Sequence, residues 1–248
     1  MTATISGPVL ILGATSDIGW AIAQHYAQAG RPLLLAARNP ERLEADAADL
    51  RIRWGADVRV ADFDVLDVGG HSAFLDGLEE LPATVVCVVG LLGSQPDAER
   101  DFTAARRVID SNLTGPASIL GEVANRMEAR GSGTIIGISS VAGDRGRASN
   151  YIYGAAKAGF TAFLSGLRNR LAKRGVHVVT VKPGFVRTRM TEGMSLPARL
   201  TAEPNEVARA ILAAEARGRD IVYVRPVWWV IMLVIRSLPE KIFKRTKL

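Results

Sequence analysis

Cysteine is almost absent: Cys87 is the only one in 248 residues. A lone thiol excludes an intrachain disulfide, argues against a thiol-ligated metal site and fits a reducing compartment. Histidine is nearly as scarce. His25, His71 and His177 are the only three, none spaced as a metal-ligand pair, so no metal is expected. Aromatic residues make up 6% and are not interleaved with arginines in a stripe, which argues against nucleic acid as a partner. Met1 to Pro8 carries no Lys or Arg ahead of the short apolar run Val9 to Leu12. The pattern of a secretory signal is missing there, and the expected location is cytoplasmic.

What is present points to one globular unit. Hydrophobic residues form 48% of the chain, enough for a sizeable core, and α/β folds of this length commonly stay single, so one domain over 1–248 is expected. The formal charge of +6 suits an anionic partner, a phosphate-bearing cofactor, an anionic lipid surface or nucleic acid, and charge alone does not choose among them.

Strand-like apolar runs alternate with helical patterns along the chain. Val9 to Leu12 reads as a strand, 13–19 as a tight glycine-bearing turn, Trp20 to Ala29 as a helix closed by Gly30, and Leu33 to Ala37 as a second buried strand. Strands follow at 57–64, 83–89, 134–139 and 176–181, with helices at 72–80, 100–125 (bent near Gly115-Pro116) and 153–174. This order implies a single doubly wound parallel sheet of Rossmann type with right-handed crossovers.

In such a fold, phosphate sits where the first turn meets a helix N-terminus. Gly13, Thr15, Ser16, Asp17, Ile18 and Gly19 occupy that turn. Alone, it is also compatible with an ordinary strand-to-helix connection. Asp17 is expected to turn away from a pyrophosphate, which its carboxylate would repel, and to help cap the helix instead. The second strand ends Ala36-Ala37-Arg38-Asn39, lacking the acid that would bind a ribose 2′-hydroxyl. Arg38 therefore favours NADP(H) over NAD(H), unless it is a solvated loop cation. Asp64 and Val65, at the end of the third strand, would lie beside an adenine, although Asp64 also reads as a plain strand-ending residue.

Ser140 follows the Thr134 to Ser139 strand, and Tyr153 and Lys157 lie four residues apart on one helix face. A phenol with an ordinary pKa of about 10 becomes a useful acid or base when a nearby cation favours its phenolate. Tyr151 lies about 200° around the helix from Tyr153 and so cannot share Lys157.

With Ser140, Tyr153-x-x-x-Lys157, Asn112 in Asp-Ser-Asn-Leu-Thr-Gly and Pro183-Gly184, the chain resembles the short-chain dehydrogenase/reductase family across residues 8–225. The resemblance implies an NAD(P)-dependent oxidoreductase acting on CH–OH groups and usually assembled as a homodimer or homotetramer. It further implies Tyr153 as general acid/base, Ser140 on the substrate oxygen, Asn112 in a proton relay, and Pro183, Gly184, Val186 and Thr188 beside the nicotinamide, with Gly90 lining the cofactor. Two positions depart from the family pattern. Cys87-Val88-Val89-Gly90 replaces Asn-Asn-Ala-Gly, which puts strand-to-loop hydrogen bonding in doubt, and Leu12 replaces the threonine before the first glycine.

Residues 13–19, 62–67 and 90–93, together with the tail, are similar to family reductases of polyprenyl-phosphate-linked 2-keto-pentoses. Other carbonyls, such as 3-oxoacyl thioesters or small ketones, and a non-catalytic nucleotide sensor remain alternatives. The tail 224–248 is apolar and basic. Val227 to Ile235 carries Trp228 and Trp229, bounded by Arg225 and Arg236 and followed by Lys241, Lys244, Arg245 and Lys247. Nine apolar residues are too few to span a bilayer. They suit peripheral contact with an anionic membrane, or a cover over the substrate cleft or a subunit interface.

Overall fold

A computed structural model describes residues 6–246; Met1 to Ile5 of the N-terminal stretch and Lys247 of the basic tail lie outside the described residues. The strands are β1 Val9–Leu12, β2 Leu33–Ala37, β3 Val58–Asp62, β4 Thr84–Cys87, β5 Gly133–Ile138, β6 Val176–Pro183, β7 Phe185–Val186, β8 Thr201–Ala202 and β9 Ile221–Val224. Seven form one parallel sheet in the order β3-β2-β1-β4-β5-β6-β9, and β7 pairs only with β8. The helices are α1 Asp17–Gln28, α2 Glu44–Trp54, α3 His71–Asp76, α4 Gln95–Arg100, α5 Phe102–Ile109, α6 Gly115–Arg130, α7 Tyr151–Leu171, α8 Pro204–Ala216, α9 Val227–Ser237 and α10 Glu240–Phe243.

The two-residue repeat of the strands divides the core. In β1, Val9 and Ile11 face a cluster built with α1, α2 and α8, while Leu10 and Leu12 face a second cluster built with α3, α6 and α7. Leu33, Leu35 and Ala37 of β2 join the first cluster and Ala36 the second. Because both faces of the sheet are covered, its strands read as unbroken apolar runs. Each fully buried Leu, Ile or Val contributes roughly 1.5–3 kcal/mol relative to exposure. At the end of α1, Gly30 takes φ +73 and donates to Ala27 O while Arg31 donates to Tyr26 O, a Schellman closure.

β1 lies between β2 and β4, so the chain winds outward in opposite directions from it and opens a crevice at the strands' carboxyl ends. Several boundaries differ from those expected. The bend expected near Gly115-Pro116 is a π-helical turn over Asp110–Thr114, immediately before them, and the preceding helix starts at Phe102 because Asp101 accepts the Thr103 N–H at 2.8 Å. β4 stops at Cys87, since Val88 and Val89 already turn across the carboxyl edge, and α7 begins at Tyr151. The helix expected over 72–80 ends at Asp76. α2, α8 and β9 were not singled out from the sequence. α2 buries only Ala47 and Leu50 and so shows little helical periodicity, and β9 is a short, half-exposed edge strand.

Candidate active site

The crevice begins at the turn after β1. Gly13 has φ +92, and a Cβ there would meet Val89 at 3.1 Å, so the turn requires glycine. Ser16 is the N-cap of α1: its Oγ accepts the Gly19 N–H at 3.0 Å. At Gly19 a Cβ would lie 2.6 Å from the Gly13 carbonyl oxygen, which lets the helix start press directly onto the turn. The capping role expected of Asp17 thus belongs to Ser16. Asp17 instead accepts the backbone N–H of Arg189 at 2.7 Å and its Nε at 2.8 Å.

A cleft of about 370 Å³ opens here, lined by Gly13, Ser16, Asp17, Ile18, Arg38, Asp64, Val65, Gly90 and Thr188 of the residues expected from sequence. Arg38 is exposed at the end of β2, and Asp64 accepts the Leu66 N–H at 3.0 Å, a local turn bond. Thr15 does not line the cleft, its carbonyl accepting from the Arg189 guanidinium at 2.5 Å, and Gly19 lies beneath it. The free N–H groups of a helix start, the Gly13–Gly19 close approach and an exposed arginine opposite fit a dinucleotide pyrophosphate and its ribose.

A second cavity of about 150 Å³ shares Ile18, Gly90 and Thr188 with this cleft and contains Ser140, Tyr153, Lys157, Pro183, Gly184 and Val186. Ser139 and Ser140 divide the end of β5 between them. Ser139 Oγ is occupied by Lys157 O at 3.1 Å and Thr161 Oγ1 at 2.6 Å, whereas Ser140 Oγ accepts the Ala142 N–H at 3.1 Å and faces the Tyr153 hydroxyl. Lys157 is buried; its Nζ donates to Ile138 O at 2.9 Å and lies 5.9 Å from the Tyr153 ring centroid. Burial pushes the Tyr153 phenol up to about 12, opposed by the Ser140 hydrogen bond. Burial likewise brings the Lys157 ammonium down to about 8.

Residues 8–197 match the family model described as short chain dehydrogenase. The chain belongs to that family. It is therefore an NAD(P)-dependent oxidoreductase. An uncharacterized oxidoreductase of Mycobacterium tuberculosis is 38% identical over 248 residues, 99% of each chain. Sulfoacetaldehyde reductase 2 of Chromohalobacter salexigens is 36% identical over 195 residues, 75% of each chain. A short-chain dehydrogenase from Sphingobium yanoikuyae, solved in complex with NADPH, superposes with TM-score 0.80 at 27% identity, covering 94% of this chain and 96% of that one.

Two details of this short-chain dehydrogenase concern the segment that follows β4. Asn112 is fully buried and lines neither cavity. Its Nδ2 donates to Leu91 O at 2.6 Å and Val108 O at 2.8 Å, and its Oδ1 accepts the Leu91 N–H at 3.3 Å. Asn112 thereby holds the Gly90-Leu91 loop. Strand-to-loop bonding also survives the Cys87-Val88-Val89-Gly90 replacement, because Val88 N–H bonds Leu12 O at 3.0 Å and Cys87 packs into the core. Burial pushes the Cys87 thiol up to about 11, an inert form.

The tail divides between two environments. Trp228 lies directly over Gly184, lines the smaller cavity and donates from Nε1 to Leu200 O at 3.1 Å. Trp229, Val230, Leu233 and Val234 on the other side of α9 are exposed. No helix among the described residues is long and apolar enough to cross a membrane. Sequence reading missed Arg189, Arg107 and Ser111 at the larger cleft and Arg147 and Asn150 at the smaller cavity. Arg189, Arg147 and Asn150 lie on connecting segments, Arg107 about a helical turn before the Asn112 motif and Ser111 inside it, where spacing alone carries no signal.

Proposed function

We propose that the protein is an NADP(H)-dependent carbonyl reductase, or alcohol dehydrogenase in reverse, with Tyr153 as its general acid. The juxtaposition of Tyr153, Ser140 and Lys157 in a small cavity opening onto the α1 cleft carries this assignment. Gly13, Ser16, Ile18, Gly19, Gly90 and Thr188 would hold the dinucleotide, with Asp64 and Val65 at the adenine and Arg38 at the 2′-phosphate. The cofactor, when bound, supplies the hydride. Tyr153, protonated at neutral pH, gives its proton to the substrate oxygen, and Ser140 donates a hydrogen bond to the same atom. Lys157 stabilises the phenolate left behind. Asn112 acts as a positioning residue by fixing the Gly90-Leu91 loop between cleft and cavity.

For the substrate, similarity of residues 13–19, 62–67 and 90–93 to keto-pentose reductases supports a polyprenyl-phosphate-linked 2-keto-pentose. The name of the Chromohalobacter relative supports a second reading, a sulfonated aldehyde. The exposed apolar side of α9, followed by Arg236, Lys241, Lys244 and Arg245, supports a cytoplasmic enzyme that touches an anionic membrane face, assembled as a homodimer or homotetramer.

A turnover screen with NADPH and NADH across lipid-linked keto-sugars, free keto-sugars and small aldehydes tests the assignment. The expected result is reduction with NADPH preferred. Arg38→Ala is expected to lower the NADPH-to-NADH preference by about 10- to 100-fold, the range of a hydrogen bond to a charged group. NADPH binding with no carbonyl reduced would indicate a nucleotide sensor instead.

A further inference from the structure

Arg147 stands apart among the cations around the active site. It lies on the loop between β5 and α7, and its half-buried side chain borders both the cavity of Tyr153 and an outer cavity of about 400 Å³. The two cavities meet at Leu92, Arg147, Asn150, Tyr153, Phe185 and Met194. The loop is firmly anchored at Asp144 and Arg145, just after Gly143. Lys182 Nζ bonds Asp144 Oδ1 at 2.5 Å, Tyr223 Oη donates to Asp144 Oδ2 at 2.8 Å, and Arg145 donates to Ile235 O and Leu238 O at 2.6 Å each.

Arg147 has no such partners. Its Nε is buried without a hydrogen-bond acceptor among the described residues, and the neighbouring Asn150 Oδ1 is likewise buried without a donor. Among the described residues no Asp or Glu lines either cavity; the charged residues there are Lys157 and Arg147. Burial lowers the Arg147 pKa from its ordinary value, yet a guanidinium remains charged at any physiological pH. A desolvated cation without a counter-charge is costly in the free protein, and a ligand oxyanion would offset that cost.

We infer that Arg147 binds an anionic oxo group, a phosphate, sulfonate or carboxylate, carried by the carbonyl substrate, while Asn150 accepts a hydrogen bond from a neighbouring substrate hydroxyl. This rests on the reductase reading and narrows it to acidic carbonyl substrates, with Tyr153 at the carbonyl and the anion toward the outer cavity.

The test compares kcat/KM with NADPH for matched pairs: dihydroxyacetone phosphate against dihydroxyacetone, and acetoacetate against its ethyl ester. Wild type is expected to favour the anionic member. Arg147→Gln is expected to reduce the anionic-to-neutral ratio by about 10- to 100-fold and Arg147→Lys to restore part of it, with unchanged melting temperatures excluding misfolding. The two pairs distinguish a phosphate from a carboxylate preference. A ratio unmoved by Arg147→Gln would overturn the inference while leaving the reductase intact. If no carbonyl is reduced, the reductase reading fails separately, and Arg147 is judged by titrating NADPH-saturated protein with sulfate. A melting-temperature rise lost in Arg147→Gln supports the anion site, and an equal rise in both proteins refutes it.

Discussion

Arg189 joins the segment after β7 to the first turn of α1, donating to Asp17 Oδ2 from its backbone at 2.7 Å and to Oδ1 from Nε at 2.8 Å. The pair places a cation beside a carboxylate at the helix end where a pyrophosphate would bind, cancelling a charge that would otherwise repel it. Arg189→Ala should therefore raise the NADPH Kd by roughly two- to fivefold, within the modest range of a partly exposed ion pair. Asp17→Asn in the same chain should return it toward the wild-type value. Fluorescence titration at low and high salt is the measurement, and the effect should shrink as salt screens the charge. A Kd that stays raised in the double variant would mean that Arg189 contacts the cofactor itself.

Burial opposes charge on both members of the catalytic pair, holding Tyr153 at about 12 and Lys157 at about 8. At pH 7 the phenol carries its proton and the lysine its charge, which is the state reduction requires. As pH rises through about 8, Lys157 loses its proton and with it the stabilisation of the phenolate. Reductive kcat at saturating NADPH should thus be flat below that pH and fall above it. Tyr153→Phe should lose about 10²- to 10⁴-fold at all pH values. A wild-type profile level to pH 9.5 would contradict the role given to Lys157.

Much of this site was legible in the chain because its parts are local. Tyr153 and Lys157 share a helix face by spacing alone, and Gly13 to Gly19 form a turn between an apolar strand and a helix. Ser140 was readable through the family resemblance, and the structure adds why its neighbour does not compete: the Ser139 hydroxyl is occupied by Lys157 O and Thr161. The Asp17–Arg189 pair joins positions separated by 172 residues, and no spacing rule reaches that far. Arg147 was hidden for another reason. Loop arginines are ordinarily solvated, and only the packed surroundings reveal one whose Nε has no acceptor.

Away from the site, Glu215 on α8 accepts from Tyr26 Oη at 2.8 Å and Thr84 Oγ1 at 2.5 Å, tying α1 and β4 to the last long helix. All three residues are buried. Tyr26→Phe removes one hydrogen bond and leaves a carboxylate oxygen short of a donor, at a cost of about 1–3 kcal/mol. For a chain of this size that corresponds to a melting temperature lower by roughly 2–4 °C per kcal/mol. Calorimetry should record the drop with kcat/KM unaltered, since Tyr26 touches neither cavity.

The adjacent tryptophans of α9 separate the two tasks proposed for the tail. Trp228 is buried over Gly184, meets Phe185 edge-on at 5.4 Å between ring centroids and walls the substrate cavity, whereas Trp229 is 55% exposed beside Val230 and Leu233. Trp228→Ala should cost about 3–5 kcal/mol in stability and raise KM, because it removes both core packing and a cavity wall. Trp229→Ala should leave the melting temperature nearly unchanged but lower recovery with anionic liposomes in a flotation assay, since an exposed tryptophan beside basic residues is what an interfacial helix inserts. Equal recovery of wild type, Trp229→Ala and a chain ending near Tyr223 in the soluble fraction would remove membrane contact from the proposal. If Trp229→Ala instead changed the subunit number in light scattering, this face would be the interface between copies of the chain.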